Sequence, residues 1–194
     1  MATTEKASGK ASPRERLLDA AARLSYEDGV CVGIEALCRE AGVSKRSMYQ
    51  LFDSKDAMLA ASLERRIPLY EAQLVHPDPG SSTPRERILY VFDRLARASQ
   101  HPDYHGCPYL AVLVELKDPT HPASVVAREA KERLTARFRA DAEQGGARDP
   151  ALLARQLLLV FDGASARAGA RVEHLDDGLA TATVTALLDA AGVR

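Results

Sequence analysis

Apolar residues recur three or four positions apart along almost the whole chain, and no stretch alternates as a half-buried strand would. The pattern that begins at Pro13 and stops at Gly29 predicts a first helix over 13–28. The same spacing predicts eight further helices, over 34–41, 44–52, 54–74, 84–100, 107–117, 122–144, 149–170 and 176–191. The chain is therefore predicted to be all-α, with about nine helices.

The strongest break in this pattern divides a small module from a larger helical region. Residues 76–84 read HPDPGSSTP, and their three prolines and one glycine do not allow a helix to continue. We expect a tail over 1–12 that is disordered until it meets a partner, a three-helix module over 13–53, and a larger helical domain over 54–194. The long fourth helix would join the module to the rest of the chain.

The composition is that of a folded protein: 46% of the residues are hydrophobic and 27% are charged. The sequence shows no signal peptide and no apolar run long enough to cross a membrane, so we expect a cytoplasmic protein with no membrane partner. The net charge is −1, and the first 75 residues hold eleven basic and eleven acidic side chains. Any nucleic-acid contact must therefore use local clusters, such as Lys45, Arg46 and Lys55.

The three cysteines give no sign of a metal site or a disulfide framework. Cys31, Cys38 and Cys107 are odd in number and lack CxxC spacing, so we predict no metal and no cofactor. Cys38 lies on an apolar stripe and is predicted to be a core residue. Cys107 opens a predicted helix beside His105, which leaves two interpretations open: an ordinary thiol, or an acidified one that senses oxidants.

Residues 34–52, IEALCREAGVSKRSMYQLF, have the pattern of a helix-turn-helix. Gly42 stands where the chain must leave the first helix in a left-handed conformation, and Ser44 can cap the second helix. Two short helices joined in this way allow the second helix to enter the major groove of double-stranded DNA, provided that the helix over 13–28 supports them.

The second helix of this pair should bury Met48, Leu51 and Phe52 and expose a set of long polar side chains. The predicted DNA contacts are Ser44, Lys45, Arg46, Ser47, Tyr49, Gln50 and Lys55. Arginine and lysine can bind guanine edges, glutamine can bind adenine, and lysine, serine and tyrosine commonly hold phosphates. Lys55 follows the Ser54 cap at a helix N-terminus, a position that favours an anion.

The run RERLLDAAARL…EDGV…GIEALCREAGVSKRSMYQLFDSKDAML resembles the TetR family of repressors over residues 14–60. The resemblance implies a three-helix DNA-binding domain whose residues from Ser44 to Tyr49, together with the lysine of the SK dipeptide, Lys55, contact DNA. Two positions depart from the family. Members of the family usually have a phenylalanine that packs under the helix-turn-helix where this chain has Ser25, and we expect Tyr26 to compensate. Many members have a glycine where this chain has Arg46, which is expected to alter the base or phosphate that is contacted and not whether DNA is bound.

The C-terminal segments HGCPYLAVLVEL and ARDPALLARQLLLVFDGA resemble a subgroup of the same family. The resemblance implies that the last two helices form a homodimer. Residues 152–161 are apolar nearly all round, and the tract over 179–191 adds more apolar surface than one exposed helix can hide. The predicted dimer interface comprises Leu152, Gln156, Leu159, Leu179, Val184 and Leu187.

A small-molecule effector is the third expected partner, and its identity stays open. The candidate effector-binding residues are Phe92, Tyr104, Tyr109, Phe138, Phe161 and Asp162. The aromatic members of this set could equally be core residues. Asp162 is the sharper indication because it is polar inside an apolar helix, although a capping or dimer-facing aspartate is an equal alternative.

Two other classes of function compete with a DNA-binding regulator: a small helical enzyme, and a helical dimer that binds only protein. The sequence contains no HExxH, no GxSxG, no phosphate-binding glycine loop and no paired ExxH, so we predict no catalytic residues. A protein-binding dimer would not explain the long polar side chains over 44–50. The favoured prediction is a repressor that a small molecule releases from a palindromic operator.

Overall fold

The computed structural model describes residues 11–194, and over this range the chain forms nine α-helices. They are α1 (Pro13–Glu27), α2 (Ile34–Ala41), α3 (Lys45–Leu51), α4 (Lys55–Leu74), α5 (Pro84–Ser99), α6 (Pro108–Leu116), α7 (Pro122–Gln144), α8 (Pro150–Gly169) and α9 (Leu179–Ala191). Residues 11–194 contain no strand, and the predicted all-α fold is confirmed. The predicted tail over 1–12 lies almost wholly outside the described residues.

Within residues 11–194, six helices begin at a side chain that caps their free backbone N–H groups, including His121 at α7 and Asp149 at α8. Ser12 and Thr83 form capping boxes at the starts of α1 and α5, and each is followed by a proline in the first turn. Ser44 accepts a hydrogen bond at the start of α3, and Ser54 accepts one at the start of α4. Because these interactions span only three residues, the local sequence was sufficient to predict where the helices begin.

Two separate apolar clusters organise the chain. The first cluster joins α1, α2, α3 and the start of α4, and its buried members are Leu17, Leu18, Ala20, Ala21, Leu37, Cys38, Ala41, Met48, Phe52 and Met58. The second and larger cluster lies among α4 to α9. Helix α4 contributes Met58 to the first cluster and Leu63 and Ile67 to the second. It is therefore one element through which the N-terminal module is packed onto the rest of the molecule, and Val30 of the loop between α1 and α2 is another member of the larger cluster.

Helix α7 lies at the centre of the larger part, where it packs against α4, α5, α6 and α8. Helix α8 in turn packs against α9. The rings of Phe92 and Phe138 are stacked with centroids 5.8 Å apart, and Phe161 meets Phe92 edge-on at 6.2 Å. Within residues 11–194, no helix combines the length and the apolar character that a membrane span requires.

Candidate nucleic-acid interface

The turn between α2 and α3 has the geometry that the sequence predicted. Gly42 adopts φ 61° and ψ 39°, the left-handed region that disfavours a side chain. The backbone N–H of Val43 donates to the carbonyl of Cys38 at 3.0 Å and closes the end of α2. Arg16 of α1 donates from Nε to the carbonyl of Ala41 at 2.8 Å, so the supporting helix also holds the turn in place.

Helix α3 buries one face and presents the other to solvent. Met48 is fully buried, whereas Tyr49 remains 57% exposed. The prediction that Leu51 belongs to the buried face is wrong, because its side chain is 39% exposed. The helix ends at Leu51, and the extended residue Phe52 fills the core instead, with the guanidinium of Arg14 5.1 Å from its ring centroid.

The predicted DNA contacts on α3 lie together on this outer face. The exposed members are Ser44, Lys45, Arg46, Tyr49 and Gln50. Ser47 is half-buried, and its backbone N–H and hydroxyl are hydrogen-bonded to the hydroxyl of Ser44. Side chains of this kind, displayed on a short capped helix, can reach base edges and phosphates.

Lys45 has a carboxylate partner on the neighbouring helix, which the sequence did not indicate. Its Nζ lies 2.7 Å from Oε1 of Glu35, ten residues earlier in α2. The hydrogen bond from Lys45 holds the pKa of Glu35 below its ordinary value. Arg46 has no such partner among residues 11–194. The positive charge on the outer face of α3 is therefore carried mainly by Arg46 in the free protein.

Lys55 is half-buried at the first turn of α4. Its Nζ lies 3.4 Å from the carbonyl of Val30 and 3.3 Å from that of Val32, in the loop between α1 and α2. These two bonds place the ammonium at the N-terminus of α4, beside the cap that Ser54 provides. One N–H of the ammonium group remains for a phosphate, and the phosphate contact stays a prediction.

The expected compensation between Ser25 and Tyr26 is wrong, because Tyr26 does not pack under the helix-turn-helix. Its hydroxyl accepts a hydrogen bond from the backbone of His105 at 2.9 Å and donates one to the carbonyl of Gly106 at 3.0 Å. A second link joins the same parts of the chain, because Glu115 accepts a hydrogen bond from the N–H of Val30 at 2.8 Å. Sequence patterns carry no signal for contacts between residues about eighty positions apart.

The predicted dimer residues divide into two groups. Leu152, Leu159 and Leu179 are exposed apolar side chains on α8 and α9, and Leu159 is 74% exposed. Gln156 and Leu187 are half-buried. Val184 is 0% exposed, because the face of α9 that carries it packs into the core of the same chain. The prediction that Val184 belongs to the dimer face is therefore wrong.

The structure places the predicted effector residues in the core or in hydrogen-bonded positions. Phe92, Phe138 and Phe161 pack against one another, which favours their interpretation as core residues. The hydroxyl of Tyr109 donates to the carbonyl of Leu63 at 3.3 Å, and the hydroxyl of Tyr104 lies 2.9 Å from Oγ of Ser165. These polar contacts explain how two phenols are accommodated inside an apolar cluster.

Asp162 forms an ion pair with Lys131, a buried lysine that the sequence analysis did not single out. The Nζ of Lys131 also lies 5.0 Å from the ring centroid of Phe161 and 3.9 Å from Sγ of Cys107. The hydroxyl of Tyr70 approaches the same sulfur at 3.4 Å. Cys107 is 4% exposed, and this burial favours the ordinary-thiol interpretation, since oxidant-sensing cysteines are typically accessible.

Comparison with known proteins agrees with this geometry. Residues 17–62 match the family described as bacterial regulatory proteins, tetR family. A solved protein of Streptomyces avermitilis, described as a TetR transcriptional regulator, is 60% identical and superposes with a TM-score of 0.92 over 95% of this chain and 100% of that chain. The TetR-family regulator SCO4454 of Streptomyces coelicolor is 25% identical, with a TM-score of 0.81 over 93% of this chain and 96% of that chain.

The repressor NemR of Escherichia coli is a further relative. Its sequence is 33% identical over 108 residues, so the match spans about half the length of each protein, 54% in both cases. The reduced form of NemR superposes with a TM-score of 0.78 over 90% of this chain and 95% of that chain, at 27% identity. These relatives confirm the predicted class, a regulator and not an enzyme. On the similarity that extends over nearly its whole length, the chain belongs to the TetR family of bacterial transcriptional regulators.

Proposed function

We propose that the protein is a homodimeric transcriptional repressor that binds a palindromic operator through α3 and leaves it when a small effector binds. The observation that carries this proposal is the outer face of α3, where Arg46, Tyr49 and Gln50 are exposed directly after the left-handed turn at Gly42. A capped helix that displays long polar side chains beyond such a turn is suited to the major groove.

The chemistry of α3 and of the start of α4 suggests how the contacts divide. Arg46 is the candidate for a bidentate contact to a guanine, and Gln50 is the candidate for an adenine. Tyr49 and Lys55 are the candidates for phosphate contacts, which fix the position of the protein but do not select the sequence. Lys45 can contact a phosphate only when its ion pair with Glu35 opens or when its ammonium group contacts the carboxylate and the phosphate together.

Dimerisation through α8 and α9 would present two copies of α3 to one face of DNA. The exposed leucines Leu152, Leu159 and Leu179 form an apolar surface that a second copy of the chain can cover. A two-fold axis through this surface makes the two copies of α3 equivalent, so the operator is expected to be palindromic with half-sites about 34–36 Å apart. Such a regulator acts in the cytoplasm, where bacterial DNA lies.

An effector would act by favouring a dimer in which the two recognition helices no longer match this spacing. The free energy by which the effector shifts the equilibrium between the two dimer states cannot exceed the difference between its binding free energies for those states. Helix α4 is the element suited to transmit the change, since it packs in both apolar clusters.

The test is a selection of bound duplexes from random DNA, followed by fluorescence anisotropy titration of the selected sequence. We expect the wild-type protein to select a palindrome and Arg46→Ala to weaken or redirect that preference. Arg97→Ala, which removes an exposed arginine from α5, is the matched control and should bind like wild type. A purified protein that binds no duplex DNA at low ionic strength would refute the proposed function.

A further inference from the structure

An apolar groove of about 390 Å³ lies between the C-terminal half of α4 and the middle of α7. Its apolar wall is formed by Tyr70, Leu74, Val75, Ala130, Leu134 and Ala136. This volume falls within the range of small-molecule sites in proteins, which are mostly apolar with a few polar groups that orient the ligand. The groove is separate from the stacked cluster of Phe92, Phe138 and Phe161, so it offers a place for a ligand without repacking the core.

Three charged side chains border the groove: Glu71, Arg133 and Arg137. Arg133 faces Glu71 at 3.9 Å. Arg137 donates to the carbonyl of Leu74 at 2.5 Å and forms no ion pair within residues 11–194. Asp141 also acts on this guanidinium, but its carboxylate is bonded to Arg87.

Arg137 is thus a half-buried cation without a carboxylate of its own. Burial lowers the pKa of its guanidinium, which means that its positive charge is poorly solvated there. Two arginines and one glutamate leave the border with one net positive charge. An anionic group placed at this border would compensate that charge through hydrogen bonds from a guanidinium.

We infer that this groove binds an elongated apolar molecule carrying a single acidic group, with the acid held at Arg133 and Arg137, and that occupancy weakens DNA binding. This inference rests on the proposed repressor function and names the chemical class of its effector. The apolar wall can contact the hydrocarbon part of such a molecule, and the two arginines at the border can bind its acidic group. An uncharged or cationic analogue of the same length would lack the second of these two interactions.

The position of Arg137 supplies a physical route from the groove to the DNA-binding module. Its bond to the carbonyl of Leu74 ties the last turn of α4 to α7. An acid that draws the guanidinium toward the groove, or takes the N–H that Leu74 accepts, breaks this bond and frees the end of α4. Pro68 removes one helical hydrogen bond between the groove and Met58, so the two halves of α4 can bend relative to each other.

The test uses decanoate, with decan-1-ol and decylammonium as probes of equal chain length, titrated into the full-length protein by calorimetry. We expect saturable binding of decanoate, with both other probes weaker by roughly tenfold or more, because a hydrogen bond to a charged group contributes that much. Arg133→Gln should weaken decanoate to the same extent and leave decan-1-ol unchanged. Arg139→Gln, an exposed arginine of α7 outside the groove, is the matched control.

Ala136→Trp, which places a large ring at an exposed position of the groove, should abolish binding of all the probes. Decanoate should also release the selected duplex from the wild-type protein and not from Ala136→Trp. Equal binding of decanoate and decan-1-ol, or full decanoate binding by Ala136→Trp, would overturn the inference. So would saturable decanoate binding that leaves the DNA affinity unchanged, or the absence of decanoate binding.

Failure of the inference is distinguishable from failure of the proposed function. The calorimetric titrations need no DNA, and the DNA titration needs no decanoate. A protein that binds its selected duplex but not decanoate would refute the proposed ligand site in the groove and leave the proposed DNA binding intact. Each variant is first titrated with DNA in the absence of decanoate, where affinity equal to wild type shows that the fold is intact.

Discussion

The hydroxyl of Tyr26 accepts a hydrogen bond from the backbone N–H of His105 at 2.9 Å and thereby joins α1 to the segment that precedes α6. The same segment is pressed against α8: a Cβ on Gly106 would lie 3.2 Å from the carbonyl oxygen of Ser165, and a Cβ on Gly169 would lie 2.5 Å from the backbone of His105. One short segment therefore contacts both the DNA-binding module and the helix that carries the proposed dimer face.

Replacing Tyr26 by phenylalanine should lower the free energy of unfolding by about 1–2 kcal/mol, because two hydrogen bonds are lost and two backbone groups lose their partner. Urea denaturation followed by circular dichroism measures the change. Tyr90→Phe is the matched control, since the hydroxyl of Tyr90 makes no hydrogen bond in the described part of the chain. Equal stability of the two variants would contradict the role assigned to Tyr26.

Releasing Lys45 from its partner should strengthen DNA binding. In Glu35→Gln the ammonium of Lys45 no longer neutralises a carboxylate, so one more cation is available to phosphates. We expect higher affinity for all duplexes and a plot of log affinity against log salt concentration that is steeper by up to about one unit. Anisotropy titrations at several salt concentrations give both quantities.

The control for this experiment is Glu40→Gln, which removes an equal charge from the same helix. Glu40 is paired with Arg23 of α1 and not with a residue of α3. An identical gain in DNA affinity in both variants would show that the general loss of negative charge causes the gain. The release of Lys45 from Glu35 would then not be the cause.

Lys55→Ala should weaken binding to all duplexes alike and make the salt dependence shallower by about one unit, as expected for the loss of one phosphate contact. Arg46→Ala should instead alter the relative affinities for different sequences. Because Lys55 also bonds to the carbonyls of Val30 and Val32, thermal unfolding is measured in parallel, and the comparison is made where both proteins are folded. An unchanged salt dependence would rule out the phosphate contact.

Gly42→Ala tests the left-handed turn of the helix-turn-helix. No heavy atom lies within 4 Å of the position that its Cβ would occupy, so the expected cost of about 1–2 kcal/mol arises from the backbone conformation alone. Gly80→Ala also meets open space, but at an ordinary φ, and should be nearly neutral. Chemical denaturation compares the two variants, and equal stability would show that the turn tolerates a side chain.

Leu159→Glu should convert the proposed dimer into monomers by placing a charge in the apolar face of α8. Sedimentation equilibrium is expected to give a mass close to that of one chain, 21.0 kDa, for this variant and twice that mass for the wild-type protein. Leu69→Glu is the control, since Leu69 is 68% exposed on α4, away from α8 and α9. Dissociation by both variants or by neither would contradict the proposed interface.

The sequence alone was enough to predict the nine helices of residues 11–194 and the turn at Gly42. The features that mark them, such as the caps at Ser12 and Ser44, act between residues no more than four positions apart. The position of a helix end is therefore encoded locally, although the packing of each apolar stripe contributes most of the stability of the helix. The exposed polar set on α3 was predictable for the same reason, because the period of one short helix decides which residues share a face.

Predictions that depended on packing between distant helices succeeded only in part. The apolar face of α9 was recognised, but only the tertiary structure decided that Val184 turns inward while Leu179 stays exposed. Leu51 was assigned to the core because its spacing fits, and the end of α3 exposes it instead. An apolar residue at the edge of a helical stripe can face either side, and the neighbouring helix determines which.

The sequence determined the secondary structure and the set of side chains on the outer face of α3, because local propensities, capping and helical period are encoded within single helices. Only the tertiary structure decided which charged and polar groups meet. Lys45 with Glu35, Lys131 with Asp162, and Tyr26 with His105 are joined by the crossing of helices that are separate in sequence. Such pairs depend on the angles at which helices pack, and those angles result from the whole core rather than from any one segment.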